Sequence, residues 1–420
     1  MPDQTTDVLV LGGGHNGLVA ACYLAKAGLR TLVLEAKDHL GGGCSTEELT
    51  APGFRHDPCA GIHGGIVTGP VLRDLELERF GLRYVFPDPT SASVFPDGVA
   101  ITAWRDVERT AQGLERFSKA DADGYRYLLD IWEHGIRRWY VPTRYAPPMK
   151  LSEAYANLEA SPRGAEVMRL MASSPLEIAH EFFRADHVQA HVIKAAIQGG
   201  LMPDQFGYGI ALFAALGGRH SYGWAFPEGG SIELPNALER CLEHHGGGAL
   251  TNARAREVLV EGGRATGVIT DDGRQFRAEK ALLAGVHVRQ LFLEMLDSRW
   301  VDAELARSLA SLRYGLSEVV LHVAMTEAPR FRPEFGVDSV VHVQAPESVA
   351  DLVAANAEYR KKNLYPRAPF QILTHTYLDP SRAPSGGHVL NVGHYTPYDL
   401  HHHPQEWDEI KPKLLEDEMA

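Results

Sequence analysis

TTDVLVLGGGHNGLVAACYLAKAGLRTLVLEA, residues 5–36, is the stretch on which the fold turns. Residues 5–11 are β-branched and apolar and run straight into glycines, as a short buried parallel strand does. Gly12, Gly14 and Gly17 then stand in G-x-G-x-x-G spacing, with Gly13 and Asn16 between them. Apolar residues follow at Leu18, Ala21, Cys22, Leu24 and Ala25, the periodicity of a helix, and Gly28 sits where that helix stops. Gly12 permits the tight turn, Gly14 lets backbone approach a pyrophosphate, and Gly17 lets helix and strand pack closely. The unpaired N–H groups at the helix start face the anion. A second strand, residues 30–36, ends on Glu35 and Ala36, and the Glu35 carboxylate accepts hydrogen bonds from ribose hydroxyls. That acid repels a 2′-phosphate, which disfavours NADP and leaves FAD or NAD.

Leu40-Gly41-Gly42-Gly43-Cys44-Ser45-Thr46 follows at once and separates those two. With it, LEAKDHLGGGCSTEEL matches the pattern E-A-x-x-x-x-G-G-x-x-x-T, and the chain resembles the FAD-dependent amine oxidase and phytoene desaturase superfamily. More narrowly, GGGHNGLVAACYLAKAG and GGGCSTEELTAPGFRHDPCAGIHG are similar to its phytoene dehydrogenase-like branch, which includes carotenoid isomerase-like proteins. The resemblance is strong over about the first 65 residues and patchy beyond them. It implies FAD, held by Gly12, Gly13, Gly14, Asn16, Gly17, Glu35, Ala36, Gly42 and Gly43, with the backbone at Val258 on the adenine edge. It also implies that Gly229 and Gly230, in the W-x-x-P-x-G-G stretch from Trp224, approach the flavin; a plain turn before a helix is the other reading.

The expected fold class is α/β: a discontinuous Rossmann-like FAD-binding domain with a β-meander, plus an α+β substrate domain containing an antiparallel sheet and a helical insertion. Residues 1–65 and 221–290 are assigned to the first domain, and 66–220 and 291–420 to the second. The meander comes from three short strands between 251 and 286, punctuated by Glu261-Gly262-Gly263 and Asp271-Asp272-Gly273. Residues 66–220 read as mostly helical, with Leu114, Phe117, Tyr125, Leu128, Leu129 and Trp132 as core positions. Period-two strands are expected at 318–326, 338–344, 370–377 and 388–395.

Composition excludes several functions. The 420 residues carry a net charge of −13 and no basic cluster, which argues against nucleic acid. The same charge disfavours anionic membrane surfaces; peripheral membrane contact stays open, but no apolar run reaches bilayer length. With no basic leader and no signal-peptide core at its start, the chain is expected in the cytoplasm. Cys22, Cys44, Cys59 and Cys241 have neither metal-ligand nor disulfide spacing, so no redox-active thiol pair is expected. His401, His402 and His403 read as a solvated loop, and no metal is assigned.

The expected activity is flavin hydride transfer to or from a small apolar substrate, by desaturation, saturation or isomerisation of a polyene or isoprenoid, as the resemblance implies. Amine oxidation and a non-catalytic flavin-domain protein are the alternatives, and the oligomeric state is left unassigned. No catalytic residue is assigned; Arg55, His56 and Asp57 form the polar cluster nearest the second glycine segment. Residues 405–420 read as a core-facing helix that stops without a glycine cap on Glu416, Asp417 and Glu418. The chain is therefore expected to be a shortened form, with the isoalloxazine half of its site incomplete.

Overall fold

The computed structural model describes residues 4–401, 403 and 405–419. In chain order the strands are β1 (Gln4–Leu11), β2 (Thr31–Leu34), β3 (Tyr84–Val85), β4 (Ser91–Val94), β5 (Ala100–Ala103), β6 (Phe226–Pro227), β7 (Gly248–Leu250), β8 (Ala255–Glu261), β9 (Arg264–Thr270), β10 (Gln275–Ala284), β11 (Ser317–Met325), β12 (His342–Ala345), β13 (Phe370–Leu373) and β14 (His388–Thr396). The chain divides into two units, 1–47 with 57–85 and 225–313, and 48–56 with 86–224 and 314–420.

The first unit is built on a sheet of order β7-β2-β1-β10-β9-β8. β1 lies parallel to both β2 and β10, and helix α1 (His15–Lys26) makes the crossover from β1 to β2. Alternate residues of β1 are buried on opposite faces. Val8 and Val10 pack with Leu18, Cys22 and Leu238, while Leu9 and Leu11 pack with Leu34, Val258 and Phe276. Burial on both faces is what makes 8–11 a continuous apolar run. The meander β8-β9-β10 is antiparallel and delivers β10 back to the parallel sheet beside β1.

The second unit contains a sheet of order β11-β14-β13-β12-β4-β5. The β11-β14, β13-β14 and β12-β13 pairs are antiparallel, whereas β12 joins β4 in parallel. One face, with Ala92, Val343 and Ile372, packs on Val337 and Val340. A large helical core surrounds Tyr125, Trp132, Phe183 and Phe213; Leu114, Leu128 and Leu129 are buried in it and Phe117 packs against it.

Several sequence expectations change. The stretch 66–220 also supplies β3, β4 and β5, strands of only two to four residues and too short to show a period. β12 starts at His342, and residues after Leu373 turn into a 3₁₀ helix instead of prolonging β13. The domain limits differ as well. Residues 66–85 stay with the first unit because β3 pairs with β6, and 291–313 stay there because Met295 is buried with Leu9 and Val258. The segment Glu406–Met419 is a helix, but among the described residues Trp407, Ile410 and Leu414 are only half-buried and Leu415 is exposed, so none of these is a core position. The side chains of Asp417, Glu418 and Met419 lie outside the described set, as does His402.

Candidate functional site

The site begins where β1 ends. Gly12 has φ +91, and a Cβ there meets the Gly285 carbonyl at 2.9 Å. A Cβ on Gly17 meets the Gly12 carbonyl at 2.3 Å, closer than any side chain tolerates. Gly14 is different: its backbone is ordinary and extended, and the nearest atom to a Cβ there is the Gly42 Cα at 4.0 Å. The space in front of Gly14 is therefore open. Gly14 caps α1 without a side-chain hydrogen bond, and no acid lies in the first turn. The N–H groups of that turn thus point at open space with the positive end of the helix dipole behind them. Asn16 is exposed on this turn.

The second glycine segment lies alongside. Gly41 bridges to Gly14 and donates its N–H to the Gly13 carbonyl at 2.8 Å, and Gly42, with φ +60, would bring a Cβ to 3.1 Å from the Gly14 Cα. Two side-chain-free backbones face each other, which fits the diphosphate of a dinucleotide. Gly43 stands apart: a Cβ there would meet the Cys59 sulfur at 3.3 Å, and its carbonyl accepts the Ala60 N–H at 3.1 Å.

Glu35 is buried just past β2. Its carboxylate accepts the Gly13 N–H at 2.7 Å through one oxygen and the Lys37 N–H at 2.8 Å through the other. The acid is fixed in orientation by backbone, with lone pairs left for a further donor. Ala36 is half-buried beside it. Val258 lies on the edge strand β8, yet its side chain shares a cluster with Leu34, next to Glu35 in sequence.

A buried knot secures this region. The Thr46 hydroxyl donates to Asp57 at 2.6 Å, and Asp57 accepts the Ser231 N–H at 3.1 Å. Gly230, at φ +108, would place a Cβ 2.3 Å from the Thr46 hydroxyl. His63 contacts the Tyr84 hydroxyl at 2.9 Å and the Ser231 hydroxyl at 3.1 Å. Because Ser231 donates to the Ala60 carbonyl, it accepts from His63 Nε2–H, and Nδ1 accepts from Tyr84. Burial pushes the His63 pKa down to about 4.

The expected Arg55-His56-Asp57 cluster divides: Asp57 belongs to this unit, whereas His56 contacts Thr50 at 2.9 Å and Asn391 at 3.4 Å within the other. Gly41, Thr46, His63 and Ser231 were not singled out from the sequence. Only the T of the E-A-x-x-x-x-G-G-x-x-x-T pattern and its first glycine pointed to two of them.

Cys22, on α1, and Cys241, on the helix Glu233–His244, lie in one buried cluster, each donating its S–H to a backbone carbonyl, and all four thiols are free. Burial raises the pKa of both, so they stay protonated and unreactive at neutral pH. Burial also pushes Cys44 up to about 11, with His15 Nδ1 at 3.6 Å from its sulfur. Among the described residues no three His, Cys, Asp or Glu side chains gather around a metal-sized space, and no helix is long and apolar enough to cross a membrane.

The family model for flavin containing amine oxidoreductase matches residues 17–408. The chain is 25% identical to a limonene dehydrogenase component of Castellaniella defragrans, over 93% of this chain and 74% of that protein. It is 25% identical to pyridine nucleotide-disulfide oxidoreductase domain-containing protein 2 of Rattus norvegicus, over 98% and 77%. With a lycopene-forming phytoene desaturase of a Paracoccus species it shares 28% identity over 77% and 63%. An oxidoreductase from Methanosarcina mazei has a similar fold, with TM-score 0.61 at 19% identity over 98% of this chain and 83% of that one.

Proposed function

The chain belongs to the flavin containing amine oxidoreductase family and is an FAD-dependent oxidoreductase; from that premise we propose that it transfers hydride between FAD and a C–H or C=C group of an apolar, isoprenoid or polyene substrate. The observation that carries the reading is the uncapped start of α1, with open space before Gly14 and the Gly41-Gly42 backbone beside it. In this reading the first unit holds the cofactor and the second the substrate. The N–H groups of Gly14 to Gly17 and of Gly42 receive the diphosphate, with Asn16 at the rim; Gly13 holds Glu35 in place through its own N–H, and Glu35 with Ala36 receives the ribose. The Val258 backbone lines the adenine, and Gly43 supports the second glycine segment through its carbonyl, which accepts the Ala60 N–H.

Bound FAD supplies the hydride acceptor or donor. The chain's own residues bind, orient and exclude water. Glu35 is pre-set by two backbone donors, and the Thr46-Asp57-Ser231 knot ties the segment after Gly42 to Gly230. The substrates of the limonene dehydrogenase and phytoene desaturase relatives support the substrate class.

The test mixes flavin-loaded protein anaerobically with phytoene, limonene and a primary amine, and follows loss of the flavin's visible absorption. Bleaching by an isoprenoid and not by the amine is the expected result. Bleaching by the amine alone makes the chain an amine oxidase, and tight flavin that nothing bleaches makes it a non-catalytic binder.

A further inference from the structure

The face of the second unit's sheet opposite Val343 and Ile372 is polar; it is buried over β4 and β12, half-buried at Gln371 and exposed at Glu318. β4 contributes Ser91 and Ser93 to it, β12 His342 and Gln344, β13 Gln371 and β11 Glu318. Helices 186–196 and 209–222 bring His191, Lys194 and Arg219 to these side chains. Arg219 is 5% exposed and has no carboxylate within ion-pair distance among the described residues. Its guanidinium donates to the Ser91 hydroxyl at 3.3 Å and to the Gln198 side-chain amide oxygen, Oε1, and lies 4.5 Å above the Trp224 ring. Among the described residues two of its five N–H groups are thus engaged. Trp224 in turn stacks on His342 at 4.6 Å.

The charges do not balance. Gln198 donates to Gln371 at 3.2 Å, and Gln371 donates to Glu318 at 2.8 Å, so one carboxylate terminates the chain of hydrogen bonds that starts at Arg219. Lys194, also buried, gives its ammonium to the Pro369 carbonyl at 2.7 Å and faces the same Glu318. Two buried cations share one acid. Burial holds Arg219 down to about 10 and Lys194 to about 8, while it raises Glu318. His191 and His342 are held neutral and bring no negative charge. Moreover, Gln344 is fully buried in register with Ser93 and Gln371, and neither of its amide atoms has a partner among the described residues. A buried cation without its own anion beside a buried amide without a partner is unfavourable as it stands. Ser91, which Arg219 contacts, and Ser93, in register with Gln344, are two residues apart on one face of β4, so the two groups are neighbours on that face and a carboxylate is the group that suits both the guanidinium's N–H groups and the Gln344 NH₂.

We propose that Arg219 and Gln344 form a receptor for a carboxylate at one end of an otherwise apolar isoprenoid substrate. The inference rests on the substrate class proposed above and narrows it from hydrocarbons to isoprenoid acids.

The probes are geranylgeranoic acid and its methyl ester, titrated calorimetrically into the flavin-loaded full chain. The acid is expected to bind at least about tenfold more tightly than the ester, the scale of one charge-assisted contact. Arg219→Gln should remove that preference and leave ester binding within about threefold, while Arg219→Lys retains part of it. Gln344→Leu deletes unpartnered amide atoms, so it is expected to fold and to weaken the acid alone. Equal binding of acid and ester by the unaltered protein overturns the receptor, as does an Arg219→Gln variant that weakens both equally. If the ester and isoprenoid hydrocarbons still bleach the flavin in that case, only the receptor has failed. If no isoprenoid binds or bleaches it, the substrate class has failed and the receptor with it.

Discussion

Gly14 and Gly17 sit three residues apart and answer to different demands. A Cβ on Gly17 runs into the Gly12 carbonyl at 2.3 Å, so the turn itself needs a glycine there. A Cβ on Gly14 meets nothing nearer than 4.0 Å, so the protein alone does not need one. What needs it is the group that occupies the space in front. Gly14→Val is therefore expected to fold, at a cost of about 1 kcal/mol at the helix cap, and to purify without flavin. Gly17→Ala should instead lose about 1–3 kcal/mol of stability, because backbone must move. Urea unfolding and the flavin-to-protein absorbance ratio separate the two outcomes; a Gly14→Val protein with stoichiometric flavin places the diphosphate elsewhere. The spacing of these glycines was readable from the sequence because each fills a local backbone requirement. From spacing alone Gly230 was readable as a turn, and the resemblance offered a flavin approach; its packing on Thr46 was not readable, because Thr46 is 184 residues away and no local pattern encodes that approach.

At the scale of elements, legibility followed length and period. β1 and α1 carry their burial pattern within eight and twelve residues, and the three meander strands are bounded by turn signals. β4 and β5 have four residues each, SASV and AITA, and acquire strand character only by pairing with each other and with the distant β12. The same limit hid the meeting of α1 with the helix Glu233–His244. There Cys22 donates to the Leu238 carbonyl at 3.1 Å and Cys241 to the Leu75 carbonyl at 3.7 Å. This pair serves packing, since both thiols are held protonated. Replacing both by Ala should cost about 1 kcal/mol each through lost contacts. The rate of flavin reduction by substrate, measured by stopped flow, should stay within about twofold. A rate that collapses in a folded, flavin-loaded variant would restore a redox role for the pair.

For the whole molecule, the polar residues buried in each unit make stability depend on pH in a definite direction. His63 in the first unit, and His191 and His342 in the second, are held neutral by burial, with pKa values pushed down to about 4, about 3 and about 3. Each therefore binds a proton more readily in the unfolded chain, where its value is near 6.5. Between pH 6.5 and 4 the unfolded state takes up protons that the folded state refuses, so stability is full above that window and falls as pH drops through it. For His63 the loss across the window is about 3 kcal/mol. Glu318 acts in the opposite sense, because burial raises its pKa and the folded state holds its proton to higher pH. His15 and His220, also lowered by burial, act with these three histidines, and Glu239, also raised by burial, acts with Glu318, so the descent on acidification stays dominant. The urea midpoint of the flavin-loaded protein, at constant excess FAD, should be level from pH 8 to 7 and decline steadily from pH 6.5 to 4.5. His63→Gln can still donate to Ser231 and accept from Tyr84 but does not titrate, so it should make that decline shallower and leave the plateau within about 1 kcal/mol. A midpoint that holds or rises on acidification would mean that these rings are solvated or ion-paired in the folded protein, contrary to their buried positions.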